Sequence, residues 1–246
     1  MSETLRRLVS MSDTLEQLEA LASILTNEIL VKPQEEQVIW FAQVSSKKSI
    51  VKHLMRLISV ESISSAKFKL SVVCLDLLVD MVVTWSDPQD EVKPVLLDQL
   101  VSVENFWTNI HKTAVSTDSS ATTRCHCVRL MVNAFTLSAG SIPHRIFSDE
   151  IIASILDILS NHQSSSISRN RQNLRIGIDY LLLVFEKHPD RLQKHLVRSP
   201  HAFTPLIEIC AQLIVSGPNL SAVKKLAESL VAESKNVYTP LALMIF

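Results

Sequence analysis

Long apolar stretches recur along this chain about every fifty residues, separated by breaks rich in serine, asparagine and proline. Sliding Lys69–Val83 by 53 residues onto Thr122–Thr136 sets Cys74 on Cys127, Leu77 on Leu130, Leu78 on Met131, Met81 on Ala134 and Val82 on Phe135. A further 46 residues carries Val128 to Leu174, Val132 to Ile178 and Phe135 to Leu181. Another 49 carries Leu174 to Val223, Ile178 to Ala227 and Leu181 to Leu230. Apolar falls on apolar at each step. A chain that repeats one pattern in this way builds one supersecondary unit several times and buries the apolar face of each copy against its neighbours.

The pattern within each unit is helical. Leu15, Leu18, Ala22, Leu25 and Ile29 mark one face of a helix that Ser12 or Asp13 would cap, and Ile50, Val51, Leu54, Leu57 and Ile58 form a second stripe. No stretch alternates apolar and polar residues between Asn-Gly turns, so almost no sheet is expected. Each long helix follows a shorter apolar helix and a loop, as in "HPDRLQKHLVRSPHAFTPLIEICAQLI" (His188–Ile214), with a third short helix before it.

From Pro33 to Phe246 this pattern resembles armadillo or HEAT repeats, stacked helical units of about 40–47 residues. The resemblance implies an all-α fold, a right-handed α-α superhelix in one repeat domain. N-terminal capping helices would occupy residues 1–32. Repeat units would span 33–86, 87–140, 141–187 and 188–235, and a further helix would begin in 236–246 of a longer protein.

Several function classes are excluded or disfavoured by composition. Only three glycines occur, with no GxGxxG and no GxxxxGK[ST], so phosphate-cradling loops are lacking. The net charge of −1 offers no global attraction to nucleic acid or to an anionic membrane. No apolar run approaches the roughly 18 residues of a membrane span. The first twenty residues have no uncharged core and do not read as a secretory signal. The four cysteines show no secreted-framework spacing, and reduced thiols in the cytoplasm or nucleus are expected.

The one cluster that invites a metal is "RCHCVRLM" at Arg124–Met131. Zinc needs four converging ligands. Cys125, His126 and Cys127 are consecutive on a predicted helix and point in three directions, and no second CxxC or HxxxH completes a set. The 53-residue register puts Cys127 where Cys74 stands, a core position, and free cysteine packs as a small hydrophobe. No metal and no cofactor is expected. No HExxH or GxSxG occurs, and the remaining histidines are scattered at predicted helix ends or in loops, so an enzyme is not expected.

The same register aligns polar residues. Asp76 and Asp80 fall on Arg129 and Asn133, then on Arg175 and Asp179, then on Lys224 and Glu228, each pair spaced i, i+4 on one helical face. Asp76 and Asp80 are embedded in "VVCLDLLVDMVV", where a charge needs water or a partner. These eight residues are the candidate partner-binding groove, because the last helix of each unit in a solenoid lines its concave face. Trp85, at a predicted helix end where full burial is not expected, is a second candidate contact. The apolar ending "NVYTPLALMIF" lacks a polar cap, which marks Leu241, Leu243, Met244 and Phe246 for self-association, as in a homodimer, or for cover by further chain. The function expected is a non-enzymatic scaffold that binds a peptide or helical segment of a partner protein. A nucleic-acid-associated helical repeat is the alternative, disfavoured by the near-neutral charge and the lack of repeated base-stacking aromatics.

Overall fold

In a computed structural model, the structure describes residues 14–45, 50–85, 92–103, 105–141, 145–161 and 167–198, with Leu206 and Glu228. Serine hydroxyls start the long helices. The side chain of Ser65 accepts from the Phe68 amide at 3.1 Å, and that of Ser120 from the Thr123 amide at 3.1 Å, each filling an orphan donor of the first turn. The first described helix is capped by Thr14 rather than by Ser12 or Asp13, which lie outside the described residues. Thr14 and Gln17 form a reciprocal capping box, each side chain bonding the other's amide.

Among the described residues there are ten α-helices and no strands. They are α1 (Leu15–Ile24, continuing as a π-helical turn over Leu25–Ile29), α2 (Gln34–Ser45), α3 (Ile50–Val60), α4 (Ala66–Thr84), α5 (Val92–Val101), α6 (Phe106–Val115), α7 (Ala121–Leu137), α8 (Asp149–Ser160), α9 (Ile167–Lys187) and α10 (Pro189–Arg198). The fold is all-α.

Two compact units divide the chain, Met1–Ile146 and Phe147–Phe246. In the first, residues 33–86 and 87–140 each run short helix, short helix, long helix. Helix α4 is the hub, packed by α1, α3, α5 and α7. It buries Phe68, Val72, Leu75, Leu78, Val79 and Val82 on one side, with Cys74 and Asp76 on its flanks. Helices α1, α4 and α7 pack in succession, and α3 meets α6 behind them. Asn109 of α6 ties those two together, its Nδ2 donating to the carbonyls of Ile58 at 3.0 Å and Ser59 at 3.3 Å, which α3 leaves open at its C-terminal end.

In the second unit α8, α9 and α10 pack on one another. Gly177 of α9 lies so close to α8 that an added Cβ would stand 3.0 Å from Leu159 Cδ2. Pro189 opens α10, where its missing N–H costs nothing, and α10 buries Leu192 and Leu196.

Candidate functional site

The strongest contact between helices joins α4 and α7, and its polar centre falls on the aligned positions. Asp76 has no exposed surface. Its Oδ2 accepts from Arg129 Nη2 at 2.7 Å and Nε at 3.0 Å, and Nε also reaches Oδ1 at 3.2 Å. One turn before Arg129, His126 Nδ1 lies 2.6 Å from the same Oδ2. A carboxylate oxygen only accepts, so Nδ1 carries the hydrogen. Arg129 Nη1 continues to Asp80 Oδ2 at 3.1 Å, and Asn133 Nδ2 donates to Asp80 Oδ1 at 3.0 Å. Residues 53 apart in sequence thus face each other across adjacent helices, position for position.

Burial alone would lower the tendency of Arg129 to hold its proton, but the Asp76 carboxylate and its hydrogen bond outweigh it, with Asp80 adding to them, and the guanidinium is held above its ordinary value. A fully buried carboxylate is tolerable on these terms because both oxygens are filled and the charge is matched. The cluster joins α4 to α7; Asp76 is internal, Asn133 is buried, and Asp80 and Arg129 keep only partial exposure. The row drawn from the sequence is therefore not a uniformly solvent-facing one in the first unit.

In the second unit Arg175 and Asp179 stand exposed on α9 and pair loosely with each other at 3.8 Å. Glu228 is helical and exposed. Lys224 lies outside the described residues, as do Leu241, Leu243, Met244 and Phe246.

Trp85 corrects an expectation. It is 5% exposed, not a surface contact. Its Nε1 donates to Gln37 Oε1 at 3.1 Å and its ring meets Phe41 edge-on at 5.8 Å, so it fastens α2 to the end of α4. Gln37 in turn donates to the Lys32 carbonyl at 2.8 Å, which fixes the turn before α2. Histidine placement is also corrected at two positions, since His53 lies inside α3 and His111 inside α6, not at helix ends or in loops.

Cys125, His126 and Cys127 are all buried in α7. Burial pushes the Cys74 and Cys125 thiols up to about 12 and that of Cys127 well above its ordinary value. Such thiols stay protonated and are poor nucleophiles and poor metal ligands. Among the described residues no group of three or more His, Cys, Asp and Glu side chains gathers as a metal site. His126 was the partner that the sequence reading missed. The signal was available, because His126 precedes Arg129 by one helical turn and so shares its side of α7.

No helix among the described residues is long and apolar enough to cross a membrane. No family model, curated protein or solved structure matches the chain.

Proposed function

We propose that the chain is a non-enzymatic protein-interaction scaffold of the armadillo/HEAT type, a solenoid that binds a peptide or helical segment of a partner. The observation that carries the reading is the α4–α7 register, in which Asp76 meets Arg129 and Asp80 meets Asn133 at one constant separation. Stacked repeats bring equivalent positions side by side in this way, because each unit contacts its neighbour through the same faces. Asp76 and Arg129 are assigned to the joint between the two proposed repeats that end in α4 and α7, and partner contacts to the exposed faces. Self-association through Leu241–Phe246 belongs to the same proposal.

Binding of the full chain to an array of helical and extended peptides, washed at moderate salt, tests it. Peptides retained with micromolar affinity support the scaffold. An array without binders, together with a nucleic-acid mobility shift that weakens steeply with salt, would replace it by the nucleic-acid reading, since phosphate contacts are lost as counterions return.

A further inference from the structure

Apolar packing between α4 and α7 does not by itself choose one alignment. At helical spacing Val73 and Leu77 share a side of α4 with Asp76 and Asp80, and His126 and Leu130 share a side of α7 with Arg129 and Asn133. The hydrogen bonds fix the register at 53 residues, which sets Leu77 against Leu130 and Val73 against His126. Slipping α7 along α4 by one turn, about four residues, would set Val73 against Leu130 and Leu77 against Ala134. Apolar would still fall on apolar, because an apolar stripe recurs at every turn.

The charged groups do not recur in that way. In the slipped alignment Asp76 would face Asn133 and Arg129 would face Val72. A slip in the other direction would hand Arg129 to Asp80 and set Asp76 against Cys125. Either way a carboxylate with no exposed surface loses its cation, and a buried unpaired ion is strongly destabilising. In the observed alignment Asp76 takes Arg129 Nη2 and His126 Nδ1 from successive turns of α7, at 2.7 and 2.6 Å. Arg129 Nη1 spans onward to Asp80 at 3.1 Å. We infer that the Asp76–Arg129–Asp80 ladder is the register key of the α4–α7 joint. Apolar burial holds the two helices together, and the buried ions decide which turn meets which. The ladder thereby blocks the one-turn ratchet by which packed helices change alignment. In paired helices a single buried polar contact fixes register in the same manner. The inference stands apart from the scaffold reading and needs no partner.

The test uses the full chain carrying Cys210→Ser, with spin labels on Ala66→Cys at the start of α4 and Thr136→Cys near the end of α7, both exposed positions. Labelled chain is diluted with unlabelled chain, so that only distances within one copy are read. The otherwise unchanged chain should give one distance. Asp76→Leu with Arg129→Leu should stay helical and add a second population displaced by about 5 Å, the rise of one turn. Leu77→Ala, which removes apolar contact and spares the ladder, should lower the thermal midpoint and keep the single distance. One unchanged distance in a folded double variant means that apolar packing sets the alignment, and overturns the inference. A second population in Leu77→Ala overturns it for the same reason. A double variant that loses its helical signal makes the pair a requirement of folding and not a key, which overturns it as well.

Discussion

A carboxylate with no exposed surface needs its compensation within reach, and Asp76 finds it in Arg129 and His126 of the adjacent helix. Replacing Arg129 by leucine removes the matching charge and leaves Asp76 buried with His126 alone. The expected loss is about 3 kcal/mol, read as a lower urea midpoint, because an unpaired buried ion costs several kcal/mol. Adding Asp76→Leu to Arg129→Leu should recover much of that loss, since an apolar pair of similar volume asks for no compensation. Recovery failing in the double variant would locate the penalty in packing rather than in charge. The thiols carry a second expectation. With Cys74 and Cys125 pushed up to about 12, the folded chain keeps protons that the unfolded chain releases above about pH 9. Their contribution to stability is therefore complete below pH 9 and is lost as pH rises from there toward 12. A Cys74→Ala, Cys125→Ala, Cys127→Ala variant should show a shallower alkaline fall in urea midpoint than the parent. At pH 8 iodoacetamide should modify these three only in denaturant, followed residue by residue by peptide mapping. At this scale the sequence was readable where burial followed periodicity, as at Cys127. It misled at Trp85, because the indole's acceptor, Gln37, lies 48 residues away and nothing local announces it.

Helices were the most legible features, since an apolar stripe such as that of α3 is a property of contiguous sequence. The register between α4 and α7 was legible for a different reason. A repeated unit writes its contacts twice, so aligning the chain with itself lines up residues that touch. The sequence could not show that the aligned polar positions face each other and not solvent, because helical periodicity fixes a face but not its neighbour. Helix ends offer a sharper test. At the end of α7, Gly140 N–H donates to the Phe135 carbonyl at 2.9 Å and Ala139 N–H to that of Thr136 at 3.3 Å, which closes the helix through a left-handed residue. That residue is Ala139, at φ +48°, where a Cβ is crowded. Ala139→Gly should raise stability by about 0.5 kcal/mol, relief of the crowding exceeding glycine's extra freedom in the unfolded chain. Gly177 predicts the opposite sign. Helix propensity alone favours replacing it, yet the side chain of Leu159 lies where a Cβ would go. Gly177→Val should cost about 1–3 kcal/mol by overpacking α9 against α8. A midpoint that rises instead would mean that α8 gives way freely.

Over the whole molecule, the near-neutral net charge averages over local imbalances, such as the five exposed glutamates against one lysine between Thr14 and Gln43. Composition therefore speaks for an all-α architecture and little for its surfaces, because an average over the chain keeps its apolar content and loses the local imbalance of exposed charge. The apolar segment Leu241–Phe246 raises the corresponding question of assembly. Leu241, Leu243, Met244, Ile245 and Phe246 make this stretch almost wholly apolar in sequence, and apolar surface of that kind marks contact surfaces in soluble proteins. Under the scaffold proposal this segment covers itself with a second copy. Light scattering at increasing concentration should then give a mass above the 27.5 kDa of one chain. Leu243→Glu with Phe246→Glu should return the mass to that of one chain, because a charge buried without a partner in an apolar interface costs more than such a contact supplies. Helical circular dichroism unchanged by the pair would place the effect in association and not in folding. A parent chain that scatters as one copy at every concentration removes self-association from the proposal, and peptide binding then has to be explained by one chain alone.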